Sequence, residues 1–563
     1  MNISAKNYKL ISCVLFASFV FAPVGRTSAG GSERGAQQSV ASAIRVAPPA
    51  PVFDDNARRA ELAARRNKIA ERIGAKGALV LLSTAPRIYT NDVNYKFRQE
   101  NNFYYLTNLN QPEAKLVLLP GGANVREILF LPRRNPSQET WTGRMYSPEE
   151  AARLSSIGEI WEETEFEPFM QALRSRQAYR PQPEKILLSS RTTTPPTSGA
   201  ASDAANYETL FAAAAKSEAA LFMLTSTNAN AQNAESREYR AEQLLAAAWR
   251  KEPNGFTVQS AFPIFAEMRL RKSEMEMRLL QHAVDITTEA LGRAMAVANR
   301  ARWEYEIEAE VQYTFKRRNA DNWGYPPIVG CGANATTLHY EESQGRVAAG
   351  DLILMDVGAE YNHYTADVTR TFPINGKFTS AQTDIYNLVL AAQTAAYAPV
   401  KPGGTFAQVN AAAVETIKRG LLKLGLITDV NSNQHRIWFM HGTSHWLGMN
   451  VHDVGSNATK FEPGMVFTIE PGVYIRPDAL DYLPKTAENE RFIQAVRPAF
   501  EKYKNIGVRI EDDVVVTADG YRNLTSALPR ATNEIEDFVR RASQELRAAR
   551  MTKRKDETAK LNR

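Results

Sequence analysis

Apolar residues fall at two spacings along this chain, and the switches between them divide it into elements. Residues 58–73 space them as a helix does, whereas 78–82, 115–119 and 127–131 are short apolar runs that predict buried strands. Ser273 and Glu276 form a capping box, and Leu280, Ala283 or Val284, Ile286 and Leu291 follow at roughly helical spacing. A second amphipathic helix carries Ile307, Val311 and Phe315. Strand-rich sequence then covers 326–372, helices cover 381–394 and 406–424, and further strands cover 465–516. Asn533 and Glu536 open a last helix whose packing side is Ile535, Val539, Ala542 and Leu546. A helix pair followed by strands thus occurs twice, a weak sign of internal duplication.

This order predicts an α/β (α+β) chain with a mixed domain over 55–262 and a second domain over 263–546. Residues 191–205, rich in Thr, Pro, Ser, Ala and Gly, read as a loop or insertion, and 228–234 as a polar breaker. Residues 30–54, rich in Ala, Ser, Gly and Pro, read as a flexible linker, and 547–563 as a basic, frayed tail. At the start, Lys6 and Lys9 precede an apolar run over 10–24, and Thr27, Ser28 and Ala29 offer small residues for cleavage. The expectation is an export signal over 1–29 and a periplasmic or secreted protein. The run is short for a bilayer span, so no stable membrane anchor is expected. Cys13 precedes most of that run, which argues against a lipoprotein signal. Once the signal is cleaved Cys331 is the only cysteine, which rules out an intrachain disulfide.

Composition changes this picture little. With 563 residues, 44% hydrophobic and 23% charged, the chain is an ordinary globular protein. Its net charge of +6 is small for the length and owes part of its excess to the tail, so no nucleic-acid partner is read from it.

The candidate chemistry lies in the C-terminal half. Asp356 ends the apolar run 352–355, Glu470 closes 465–469, and Glu511 follows 506–510. A carboxylate inside such a run is costly unless it is paired or metal-bound. Asp367 shares a strand face with Thr369 and Thr371, and residues 358–364 can turn the chain so that the two aspartates meet. Residues 441–453 hold His441, His445 and His452, three of the seven histidines in the chain. Each acid alone fits a structural role, and Arg509 beside Glu511 fits an ion pair. Together, four acids and an imidazole suit two hard divalent cations better than a structural zinc.

These segments resemble the pita-bread metallopeptidases, the family of methionine aminopeptidase, prolidase and aminopeptidase P. Asp356, Asp367 eleven positions later, His445, Glu470 and Glu511 match its metal-ligand pattern. Aminopeptidase P is the nearest group on three local grounds. Residues 441–452 read HGTSHWLGMNVH, 356–373 read DVGAEYNHYTADVTRTFP, and 97–106 read FRQENNFYYL, similar to the signature of its N-terminal domain. The resemblance covers about 55–536. It departs at 191–234 and at 478–505, which is longer than expected between the two metal glutamates.

The resemblance implies a creatinase/aminopeptidase P N-terminal-like domain before a pita-bread catalytic domain. It implies two divalent metal ions, Mn(2+) first, held by Asp356, Asp367, His445, Glu470 and Glu511. The implied activity releases the N-terminal residue from peptides with proline second, by attack of a dimetal-bound hydroxide. Glu470 would be the general base. His339 and His452 would position peptide and oxyanion, His441 would have a smaller role, and Arg509 and Tyr474 would support the ligands. Trp446 or Tyr340 could line a slot for the proline ring. The implied partners are Xaa-Pro peptides and a second copy of the chain in a homo-oligomer. The alternatives are a prolidase restricted to dipeptides and a non-catalytic peptide-binding homologue.

Overall fold

The central strands of the N-terminal half bury residues on both faces, and their neighbours supply two cores. In the computed structural model, which describes residues 42–189, 199–225, 237–251 and 253–561, Gly77–Leu82 is buried throughout. Leu79 and Leu81 join one cluster while Ala78 and Val80 join another, the period-two alternation of a strand covered on both sides. Around it runs a seven-stranded mixed sheet. Its spatial order is Ile186–Ser189, Glu159–Glu162, Arg126–Leu131, Lys115–Leu119, Gly77–Leu82, Ala219–Met223 and Phe256–Ser260. The helix Asp55–Ile73 starts on Asp54, whose carboxylate accepts from the amides of Asn56 and Ala57, and it buries Leu62, Ile69 and Ile73.

The second half repeats one order of elements. The helices Glu274–Val297 and Glu304–Arg317 precede the antiparallel strands Ile328–Cys331, Leu352–Val357 and Val368–Pro373. The helices Ser380–Tyr397 and Phe406–Leu424 precede Val466–Ile469 paired with Asp512–Val516, and Gly472–Ile475 paired with Ile506–Arg509. The capping box of Ser273 with Glu276 is present in both its halves. One contiguous buried cluster runs from Leu79 and Leu106 to Leu280, Val311 and Phe467, so the two halves share apolar packing.

Four expectations need correction. Strands were expected throughout 465–516, yet Ala487–Tyr503 is a helix that buries Phe492, Val496, Phe500 and Tyr503. Pro498 inside it argues against a helix on local grounds; the 3–4 residue spacing of the buried aromatics and valine overrides that penalty. The stretch read as a flexible linker is ordered where it is described. Ile44 and Ala47 are buried, the Ala47 amide donates to Glu289 at 2.8 Å and the Ala43 amide to Glu545 at 2.7 Å. Composition misses this because the buried anchors, Ile44 and Ala47, stand singly among small and polar residues. The final helix spans Thr532–Leu561 and so takes in most of the stretch read as a frayed tail. The loop reading of 191–205 also fails where it is described, since its last seven residues open the helix Gly199–Ala215. The export signal over 1–29, the first part of the linker, 191–198 and 228–234 lie outside the described residues.

Candidate metal centre

Antiparallel pairing brings the first two acids together. Val357 lies opposite Val368 and Asp356 opposite Thr369, so Asp356 and Asp367 emerge at the same end of the strand pair. The hairpin is tight, because a Cβ on Gly358 would sit 1.9 Å from the Ala366 carbonyl oxygen. The Tyr325 hydroxyl lies 2.5 Å from Asp356 Oδ1 and 2.6 Å from Asp367 Oδ1. The remaining ligand candidates arrive from the other sheet. The Glu470 amide donates to Thr443 O at 2.9 Å and the Thr468 amide to His445 O at 3.0 Å, which binds the histidine segment to the strand Val466–Ile469. The Glu511 amide donates to Thr369 O, and the Thr369 hydroxyl donates to Glu511 Oε2 at 2.6 Å.

His445 Nε2 stands 3.2 Å from Asp367 Oδ2 and 3.4 Å from Glu470 Oε1. Its Nδ1 is 3.1 Å from the Trp446 carbonyl oxygen, an acceptor suited to an Nδ1 proton, and this contact turns Nε2 toward the acids. Donor atoms of Asp367, His445 and Glu511 all lie within 4.8 Å of one another. Burial, then Asp356 and Asp513, push the Asp367 carboxyl well above the usual range. Burial, then Asp367 and Asp356, do the same to Glu511, and burial also raises Glu470. At Asp356 burial acts upward too, but Arg509 at 2.6 Å and the Tyr325 hydroxyl outweigh it and hold the group low. Four mutually repelling acids have one guanidinium beside them, in contact with Asp356 alone, and an imidazole nitrogen points among them. This donor set fits two hard divalent cations.

Arg509 donates to Asp356, to Tyr474 Oη at 2.8 Å and to Thr369 Oγ1 at 3.1 Å. Its ion pair is therefore with Asp356 and not with Glu511. His441 Nε2 is 2.8 Å from Tyr474 Oη while its Nδ1 faces Gly442 O. Burial and the Arg509 charge push the His441 ring down to about 4, so it is neutral near pH 7. The His452 ring meets His445 edge to face at 4.3 Å, and burial followed by the His445 charge lowers its pKa.

All five candidate ligands, His339, His441, His452 and Arg509 line one cavity of about 420 Å³, whose apolar wall is Ile328, Leu338 and Val451. Trp446 and Tyr340 do not line it. Trp446 is buried against Phe406, with ring centroids 4.5 Å apart, and the Tyr340 hydroxyl donates to Glu304 at 2.9 Å. Asp512 is a structural acid. Burial alone would raise its carboxyl, but the charges of Arg370 and Arg530 hold it at about 2. Asp513 stands behind Asp367 and accepts its amide at 3.1 Å.

Two residues that matter here carry no periodic or motif signal. Tyr325 sits in a polar turn, and only the fold brings its hydroxyl to both aspartates. Glu304 reads as an ordinary first-turn helix acid, yet it is fully buried. It accepts from the amides of Cys331 and Gly345, both at 2.6 Å, and so gathers the loop that carries His339.

Comparison with known proteins agrees with this geometry. Residues 278–518 match the model of metallopeptidase family M24, and residues 62–180 match that of the aminopeptidase P N-terminal domain. The Xaa-Pro aminopeptidase of Haemophilus influenzae is 33% identical over 489 residues, covering 85% of this chain and 97% of its own. That of Escherichia coli is 33% identical over 496 residues, covering 85% and 98%. The solved structure of E. coli aminopeptidase P with the inhibitor Pro-Leu superposes with a TM-score of 0.67 at 32% identity, over 86% of this chain and 99% of that one. The chain belongs to metallopeptidase family M24, as a member of its aminopeptidase P (Xaa-Pro aminopeptidase) group, with that group's N-terminal domain and a pita-bread catalytic domain.

Proposed function

We propose that the protein is a metal-dependent aminopeptidase that releases the N-terminal residue from peptides with proline in the second position. The observation that carries this reading is the convergence of the four candidate acids and four histidines on one cavity with an apolar wall. Asp356, Asp367, His445, Glu470 and Glu511 would hold two divalent cations, and the excess of oxygen donors favours manganese. When bound, such cations polarise a carbonyl and acidify water near neutral pH.

The chain's own residues do the rest. Glu470 engages Thr468 through Oε1, which leaves Oε2 to accept a proton from water and pass it to the departing proline nitrogen. His339 and His452 orient the peptide and donate toward the carbonyl oxygen as charge develops there. Arg509 and Tyr474 hold Asp356 and His441 in place. Ile328, Leu338 and Val451 offer the proline ring an apolar wall. An Xaa-Pro bond has no N–H, and this site asks for none.

A panel of Xaa-Pro dipeptides and Xaa-Pro-Xaa-Xaa tetrapeptides tests the reading. The tetrapeptides are expected to lose their first residue, a chelator to stop the reaction, and Mn(2+) to restore it best. Cleavage of the dipeptides alone would make the enzyme a prolidase. No cleavage of either, with no metal uptake, would leave a non-catalytic binding protein.

Residues 1–29 act in this reading as an export signal, supported by Lys6 and Lys9 ahead of the apolar run. Protein recovered outside the cytoplasm is expected to begin near Gly30, and an N-terminus at Met1 there would overturn the assignment. The family also supports a homo-oligomer as the working form.

A further inference from the structure

The cleft belongs to the C-terminal half, but the loop that carries His452 and Val451 is gripped from the N-terminal half. Residues 98–102 lead into the helix Asn101–Thr107, which Glu100 caps by accepting the Phe103 amide at 2.7 Å. Arg98 Nε lies 3.0 and 2.8 Å from the two carboxylate oxygens of Glu360, and its Nη2 donates to Met449 O at 2.9 Å. Asn101 Nδ2 donates to Asn450 Oδ1 at 2.8 Å and to Met449 O at 3.3 Å. Its Oδ1 faces His363 Nδ1 at 3.2 Å, and the His363 ring stacks on Tyr104 at 3.7 Å, so the amide is held from both sides. Beyond His452 the grip continues. Asn102 Oδ1 accepts from Arg269 at 2.7 Å, and Arg269 donates to Asp453 Oδ1 at 2.5 Å.

These contacts are buried: Asn101 is 4% exposed, Asn102 1% and Arg269 2%. They fall immediately before and immediately after Val451 and His452, which face the cavity. A loop between Gly448 and Gly455 has little local rigidity of its own. Buried hydrogen bonds from a rigid neighbouring helix supply it, and a displacement of about 1 Å at a substrate-facing group is enough to cost rate.

We propose that Asn101, assisted by Arg98, is a positioning residue for the loop 449–453. The N-terminal domain then sets where His452 and Val451 stand in the cleft. The kinetic arm of this inference rests on the peptidase reading above. Asn101→Ala is expected to lower kcat/KM on a Xaa-Pro-Xaa-Xaa peptide roughly tenfold, the scale of one or two lost hydrogen bonds, with bound metal unchanged. Asn101→Asp is expected to do more, because its carboxylate would face the Met449 and Asn450 oxygens. In a His452→Ala background the same Asn101→Ala change is expected to cost less than about twofold, since both residues act at one point. Arg126→Met is the control. Arg126 is buried within the N-terminal domain and away from the helix Asn101–Thr107, with its Nε and Nη2 on the two Glu159 carboxylate oxygens at 3.1 and 2.8 Å. Its loss is expected to lower the melting temperature and leave kcat/KM per folded enzyme as it was.

Full additivity of Asn101→Ala with His452→Ala, or unchanged kinetics in both Asn101 variants, would overturn the proposal. A wild-type enzyme inactive on every Xaa-Pro peptide would instead remove the peptidase reading. Amide exchange then decides the positioning role: faster exchange over 449–453 in Asn101→Ala upholds it, and unaltered protection overturns it.

Discussion

Glu470→Gln is expected to reduce turnover of a Xaa-Pro peptide by about 10²–10⁴-fold, the range of a lost general base. The two oxygens of Glu470 have separate surroundings. Oε1 accepts from Thr468 at 3.3 Å and lies 3.4 Å from His445 Nε2, while Oε2 stands 3.8 Å from His441 Nδ1. Glutamine keeps one oxygen as a donor atom and puts an NH2 where the proton must be received. Metal content is therefore expected to fall much less than kcat, and the two are measured on the same preparation. Lys553→Ala, in the last turns of the final helix, is expected to behave as wild type. A Glu470→Gln enzyme within a few fold of wild type, with metal retained, would show that the proton goes elsewhere.

Three of the ligand candidates, Asp356, Glu470 and Glu511, were legible because an acid beside an apolar run breaks a strong local rule, whereas Asp367 and His445 were read from a strand face and a histidine cluster. An acid at the end of an apolar strand is conspicuous in sequence, and the strands that end in Asp356, Glu470 and Glu511 are short enough to be read from the apolar run alone. Phe406–Leu424 was equally legible, with Thr405 capping an amphipathic face that no proline interrupts. What stayed hidden depends on partners distant in sequence. Nothing local sets Tyr325 apart from other tyrosines; its role exists only once the two aspartates meet its hydroxyl. Trp446 fails in the opposite direction. An aromatic beside the candidate ligand histidine invites a place in the pocket, yet the alternation of the strand-like segment turns it into the core, against Phe406 and Phe467. The helix Ala487–Tyr503 holds Pro498 in its interior, a case in which tertiary packing outweighs a local penalty.

Once its metal is removed by chelation, the protein is expected to lose stability steadily as the pH rises above the range in which the unfolded chain's carboxyls titrate, opposite to the usual behaviour of buried salt-bridged acids. In the unfolded chain Asp and Glu titrate near pH 4. In the folded protein burial and mutual repulsion raise Asp367, Glu470, Glu511 and Asp513. Between those two ranges the folded state holds protons that the unfolded state has released. Stability then falls as pH rises, by about 1.4 kcal/mol per pH unit for each proton so held. Asp356 acts in the other sense, since Arg509 keeps its carboxyl low, and its contribution is lost only in acid. Divalent cations replace the retained protons, so their affinity rises with pH and their stabilising effect grows just where the chelated protein weakens. Melting curves of chelated and Mn(2+)-restored protein, taken at intervals as the pH rises above that range, measure the effect directly. The gap between the two melting temperatures is expected to widen with pH. A chelated protein whose melting temperature holds constant or climbs would mean that the acids do not share their charge, and the argument for one common metal site would fail with it.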